Sequence, residues 1–84
     1  MFLHIEHFEF KGGYILKVRF SNGIEKDVDL SNELHAEVFE PLKVEDYFRK
    51  AFLNRNTNTI EWPNGADFAP EFLFEIGKEV RRSA

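Results

Sequence analysis

An α+β domain is what this 84-residue sequence predicts: an antiparallel sheet of three to five strands, short helices packed on one side, and a C-terminal helix. Three observations point there. Two N-terminal segments alternate apolar and polar residues with a period of two, as half-buried strands do. Gly-Gly and Asn-Gly pairs separate the strand segments, and both dipeptides suit tight hairpin turns. After Pro70 the apolar residues recur at helical spacing. One domain is expected over residues 1–84, since so short a chain has no room for a second core. It buries only about 60–65% of the surface of its unfolded form, so its stability should be modest.

Along the chain, "FLHIEHFEF" (2–10) is rich in β-formers, although its alternation is imperfect. Gly12-Gly13 turns the chain into "YILKVRF" (14–20), with Tyr14, Leu16, Val18 and Phe20 on one face and Lys17 and Arg19 on the other. Asn22-Gly23 marks the next hairpin. "IEKDVDL" (24–30) then points Ile24, Val28 and Leu30 one way and Glu25, Asp27 and Asp29 the other. A helix is expected to start at Ser31-Asn32-Glu33, where a Ser hydroxyl can accept from the first free N–H groups. Leu34 and Val38 would share its inner face, and Pro41 would end it, because the residue before a proline is driven out of helical geometry. "VEDYFRKA" (44–51) reads as a further turn or two with Tyr47 and Phe48 inward. A second hairpin follows, with Asn54 to Asn58 as its loop and Phe52, Ile60 and Trp62 buried. The last helix opens at Pro70, which suits a first turn. Its stripe is Phe72, Leu73, Ile76 and Val80, with Lys78, Arg81 and Arg82 near the negative end of the dipole. Gly77 is its weak point. Phe74 lies off the stripe and is the aromatic best placed to face a partner.

Composition narrows the function classes. The net charge of −4 argues against a general nucleic-acid binder, whose footprint is basic. No basic leader precedes an apolar run, and nothing approaches the ~20 apolar residues of a spanning helix, so a cytoplasmic protein with no membrane association is expected. The absence of cysteine excludes disulfides and thiolate zinc sites. Ten Phe, two Tyr and one Trp are many for so small a core, and some are expected at a covered surface.

Chemistry is hard to find. The serines fall at a turn, a helix start and the terminus, so no activated nucleophile is visible. His4 and His7 lie on opposite faces of one strand, which leaves no metal site by spacing. Neither GxGxxG nor GxxxxGK[ST] occurs, and no cofactor is expected. No catalytic residue is assigned, and the chain is not expected to be an enzyme.

"EWPNGAD" (61–67) has two readings. As a corner, Trp62 plugs the core with its indole N–H seeking an acceptor, and Pro63 stops the sheet ladder. Asn64-Gly65 then turns the chain, and the Asp67 carboxylate accepts N–H groups at the start of the last helix. Phe68 packs back on Leu73 if Ala69 is the cap. As a site, Trp62, Asn64 and Asp67 line a small-molecule or peptide pocket at that helix start.

"VRFSNGIEKDVDL", "FEPLKVEDYFRKAFLN" and "TIEWPNGADFAPEFL" together resemble the bacterial domain-of-unknown-function family 2442. The match spans nearly the whole chain in order: an F-S-N-G hairpin, a V-D-L strand end, an F-x-x-L-K segment, and W-P-N-G-A-D-x-x-P-E. The resemblance implies a small cytoplasmic protein paired with a second small protein in a toxin–antitoxin-like arrangement. Some members carry a helix-turn-helix extension, and none follows before Ala84, so direct DNA binding is not expected. The expected function is that of a partner-binding protein, the antitoxin-like member of such a pair. Its contact surface would be Glu25, Asp27, Asp29 and Phe74, facing another small protein of basic character. A homo-oligomer is the other arrangement considered, and ligand binding at the Trp62–Asp67 corner is the alternative function.

Overall fold

The structure is a computed structural model and describes residues 2–80. The alternating segments form strands β1 (Ile5–Gly12), β2 (Ile15–Phe20) and β3 (Glu25–Asp29), paired antiparallel in succession through the two predicted glycine turns. The imperfect pattern of β1 has a cause. Ile5 faces inward opposite Phe20, yet Phe8 and Phe10 also face inward, opposite Val18 and Leu16. Odd and even positions can share a face only if the register slips between them, and a bulge between Ile5 and His7 supplies that slip. A second irregularity separates Phe10 from Gly12.

The middle of the chain departs from expectation. No helix starts at Ser31. Asp29 Oδ1 instead accepts the Ser31 N–H at 2.9 Å and turns the chain there, a common role for Asp. A 3₁₀ helix runs over Glu37–Lys43, with Pro41 inside it, followed by the single turn α1 (Glu45–Phe48). Leu34 is buried and Val38 is 44% exposed, so the two do not share an inner face. The second hairpin forms as β4 (Phe52–Asn54) and β5 (Thr59–Glu61). Leu53 lies opposite buried Ile60, which puts Leu53 inward and leaves Phe52 exposed, the reverse of the predicted Phe52.

Helix α2 (Pro70–Ile76) starts with Ala69 as its cap and Pro in its first turn, as read from the sequence. It stops at Gly77, and Lys78–Glu79 form β6, which pairs with β3. The stripe therefore does not extend to Val80, whose N–H donates to the Glu25 carbonyl. Lys78 sits on a strand, and Arg81 and Arg82 lie outside the described residues.

The result is a four-stranded sheet in the order β1-β2-β3-β6 and a separate two-stranded sheet. Leu16, Val18, Phe20, Val28 and Leu30 project from the inner face into the core, where Leu42, Phe48, Ile60, Trp62 and Leu73 meet them. Removing each large apolar side chain from water contributes about 1.5–3 kcal/mol, which is what holds the short helices on the sheet. Among the described residues, no helix is long and apolar enough to cross a membrane.

Candidate functional site

The corner at 61–67 is built by its own backbone. Trp62 N–H donates to the Ala66 carbonyl at 2.9 Å, and Gly65 N–H donates back to the Trp62 carbonyl at 2.9 Å. Gly65 sits at φ 89°, a conformation that costs other residues more. Trp62 has no exposed surface. Its Nε1–H donates to the Phe48 carbonyl at 2.8 Å, and its ring packs against Phe48 and Phe68.

Asn64 is engaged at both ends. Its Oδ1 accepts the Ala66 N–H at 3.1 Å, and its Nδ2 donates to the Val38 carbonyl at 2.8 Å. That second bond explains the proline inside the 3₁₀ helix. In such a helix the N–H of residue 41 would satisfy the carbonyl of residue 38, and proline has no N–H to give. Asn64 supplies the missing donor from across the fold. Asp67 is exposed and bridges Glu61 in an antiparallel pair, and no side chain caps α2, so the predicted role of its carboxylate at the helix start is not seen. Phe68 stacks on Phe72 at 5.8 Å. Trp62 is thus fully buried with its one polar atom engaged, whereas Asn64 is exposed but commits its amide to its own turn and to Val38.

The acids of β3 are brought together on the outer face of the sheet, but bases are interleaved with them. Register sets Lys17 opposite Asp27, Arg19 opposite Glu25, and Lys78 on the other side of Asp27. Lys11 Nζ lies 2.8 Å from Asp27 Oδ2, and Lys17 Nζ lies 3.9 Å from Glu25. Asp29 is held below the usual aspartate range, chiefly by the Ser31 backbone N–H, then by the Ser31 hydroxyl, with Lys78 assisting. The face is a compensated checkerboard. It is not the acidic field that the row suggested.

Phe74 is the clearest correction. It was expected to face outward, but its ring meets Phe20 edge-on at 5.0 Å and lies beneath Lys26, whose Nζ sits 3.6 Å from the ring centroid. Sequence reading passed over Lys26 altogether. It occupies an inner-face position opposite Val18, and its stem runs under α2 so that Nζ donates to the Phe74 carbonyl at 2.6 Å. A lysine at the inward phase of a strand was the available signal, because such a side chain must carry its charge to something polar.

A second missed feature lies on the 3₁₀ helix. Side chains three apart eclipse one another in this geometry, so the helix has three ridges. Phe39 and Leu42 form the inner one, with Leu42 buried and Phe39 stacked on Phe68 at 4.6 Å. Glu37, Glu40 and Lys43 form a charged one, closed by a Lys43–Glu40 pair at 2.6 Å. Val38, Pro41 and Val44 form the third, apolar and turned to solvent, with Val44 61% exposed. Among the described residues, no three His, Cys, Asp or Glu side chains are grouped to hold a metal ion.

A family model described as "Protein of unknown function (DUF2442)" matches residues 5–79. No curated protein and no solved structure matches the chain.

Proposed function

The chain belongs to the DUF2442 family, and from that premise we propose that it is a non-enzymatic, cytoplasmic partner-binding protein, the antitoxin-like member of a two-protein module. One observation carries the reading: the ridge of Val38, Pro41 and Val44 is apolar and exposed, yet the fold makes no use of it. Apolar residues that adjoin one another at the surface mark interaction sites more often than scattered ones do. The paired-module arrangement is what the family resemblance implies. The charge of −4 favours encounter with a basic small protein, so association should slow as salt is added. The contact surface moves accordingly, from the compensated acids and the inward Phe74 to this ridge.

The test is to tag the chain in a bacterial host and compare what co-purifies with the wild type and with Val38→Glu/Val44→Glu. Both positions are exposed, so the double variant should unfold at an unchanged urea midpoint. A stoichiometric small protein on the wild type, retained about tenfold less or worse by the variant, is the expected result. A companion held equally by both would overturn the ridge, and no companion at all would overturn the partner reading.

A further inference from the structure

We infer that the outer edge of β1 pairs with the same edge of a second copy, joining two sheets into one about a two-fold axis at Phe8. The argument starts from which backbone groups are free. Phe20 N–H donates to the Ile24 carbonyl, and the Tyr14 carbonyl accepts from Leu30, so even-numbered residues of β2 turn their backbone groups towards β3. The odd-numbered ones turn towards β1, where they meet His7 and Glu9. Alternation then leaves the N–H and C=O of Phe8 and Phe10 pointing away from the sheet. β1 is an edge strand, and among the described residues no backbone partner takes these groups. Such an edge is a template for a further strand.

The window on this edge is bounded at both ends. Towards the N-terminus, Ile5 N–H already donates to the Asn58 carbonyl at 2.9 Å, so the 54–59 turn closes the edge there. Towards the C-terminus, the irregularity after Phe10 breaks the regular ladder. The regular stretch runs from His7 to Phe10, since the bulge between Ile5 and His7 takes up Glu6, and a two-fold axis on it falls at Phe8 or at Glu9. With Phe8 opposite Phe8 in an antiparallel pair, each copy's free Phe8 N–H meets the other's free Phe8 carbonyl.

Side-chain chemistry selects Phe8 over Glu9. Pairing about Phe8 keeps the inner faces of both sheets on one side and sets His7 opposite Glu9 of the second copy, twice by symmetry. Both side chains are exposed on the outer face, at 66% and 59%, and lie 3.7 Å apart within one copy, so the two cross-strand pairs close a ring of four alternating groups. An imidazole N–H facing a carboxylate is a favourable cross-strand pair. Shifting the axis to Glu9 would place two carboxylates face to face and His7 against Lys11. Shifting it to His7 would abandon both pairs. The free edge and the charges together therefore point to one occupant, a second copy, in one register. Val38, Pro41 and Val44 take no part, so this pairing stands or falls apart from the partner ridge.

Sedimentation velocity across about 10 μM to 1 mM, the range of weak to moderate association, tests it on three chains. The wild type should move from monomer to dimer. His7→Glu sets like charges opposite each other at both symmetric pairs and should weaken dimerisation about tenfold. His7→Glu/Glu9→Lys restores opposite charges and should recover the dimer. These are exposed positions, and intact folding is checked by an unchanged urea midpoint. A wild type that stays monomeric, a dimer indifferent to His7→Glu, or a charge swap that fails to rescue would each overturn the pairing.

Discussion

At the scale of single residues, the long-range economy of the fold is clearest in Asn64 and Pro41. Pro41 removes a donor that the 3₁₀ helix needs, and Asn64 returns it from the far side of the chain at 2.8 Å. The two should therefore be energetically coupled. Asn64→Ala leaves the Val38 carbonyl and the Ala66 N–H without their side-chain partners and should cost about 0.5–1.5 kcal/mol. In a Pro41→Ala background the helix regains its own N–H, and the same substitution should cost measurably less. Urea unfolding of the four chains gives the coupling as a double-mutant cycle. A coupling of zero would mean that Asn64 only makes its local turn. None of this was legible in the sequence. The turn chemistry of Asn64-Gly65 is local and legible, but a bond between residues 26 positions apart leaves no local pattern. Lys26 differs, since an inward-phase lysine is visible in the alternation of β3 and names a half-buried cation in need of an acceptor.

At the scale of elements, what could be read depended on which period was sought. Strands with a period of two and the start of α2 were legible because their patterns are local. The segment 37–43 has no pattern at α-helical spacing, because Phe39/Leu42 and Val38/Pro41/Val44 recur every three. Gly77 shows a different limit. It appeared to be a helix weak point, where Ala would gain roughly 1 kcal/mol. Instead it follows the last turn at φ −73° and ψ 156°, a conformation open to any residue. What demands glycine is space: a Cβ there would lie 2.9 Å from Lys26 Cβ and 3.0 Å from the Leu73 carbonyl oxygen. Neither atom is a free side-chain end, so α2 or β3 must shift. Gly77→Ala should destabilise by about 1–3 kcal/mol, as overpacking does. The sign of the change in urea midpoint decides between the two accounts, and a stabilised variant would mean that α2 does not approach β3 so closely.

At the scale of the whole molecule, one sheet has its core on one face and a charged lattice on the other. A domain of this size is held by roughly 0.05–0.15 kcal/mol per residue, so a single titrating group is a noticeable share. Asp29 is such a group, because it holds the turn that carries the chain from the sheet to the layer of helices. Its folded form titrates below the ordinary value of 3.8, mainly through the Ser31 N–H and hydroxyl. A depressed folded pKa means that the unfolded chain takes up the proton first as acid is added. The contribution is therefore complete above 3.8 and is lost as pH falls through the lower folded value. Asp29→Asn preserves an oxygen for the Ser31 N–H but has no charge to titrate. Wild type and variant should differ in urea midpoint by a constant amount at neutral pH, and the gap should close as pH falls below 3.8. A gap that persists unchanged into strong acid would mean that shape, and not charge, is what Asp29 contributes. Closure already above 3.8 would mean that folding does not lower the Asp29 pKa.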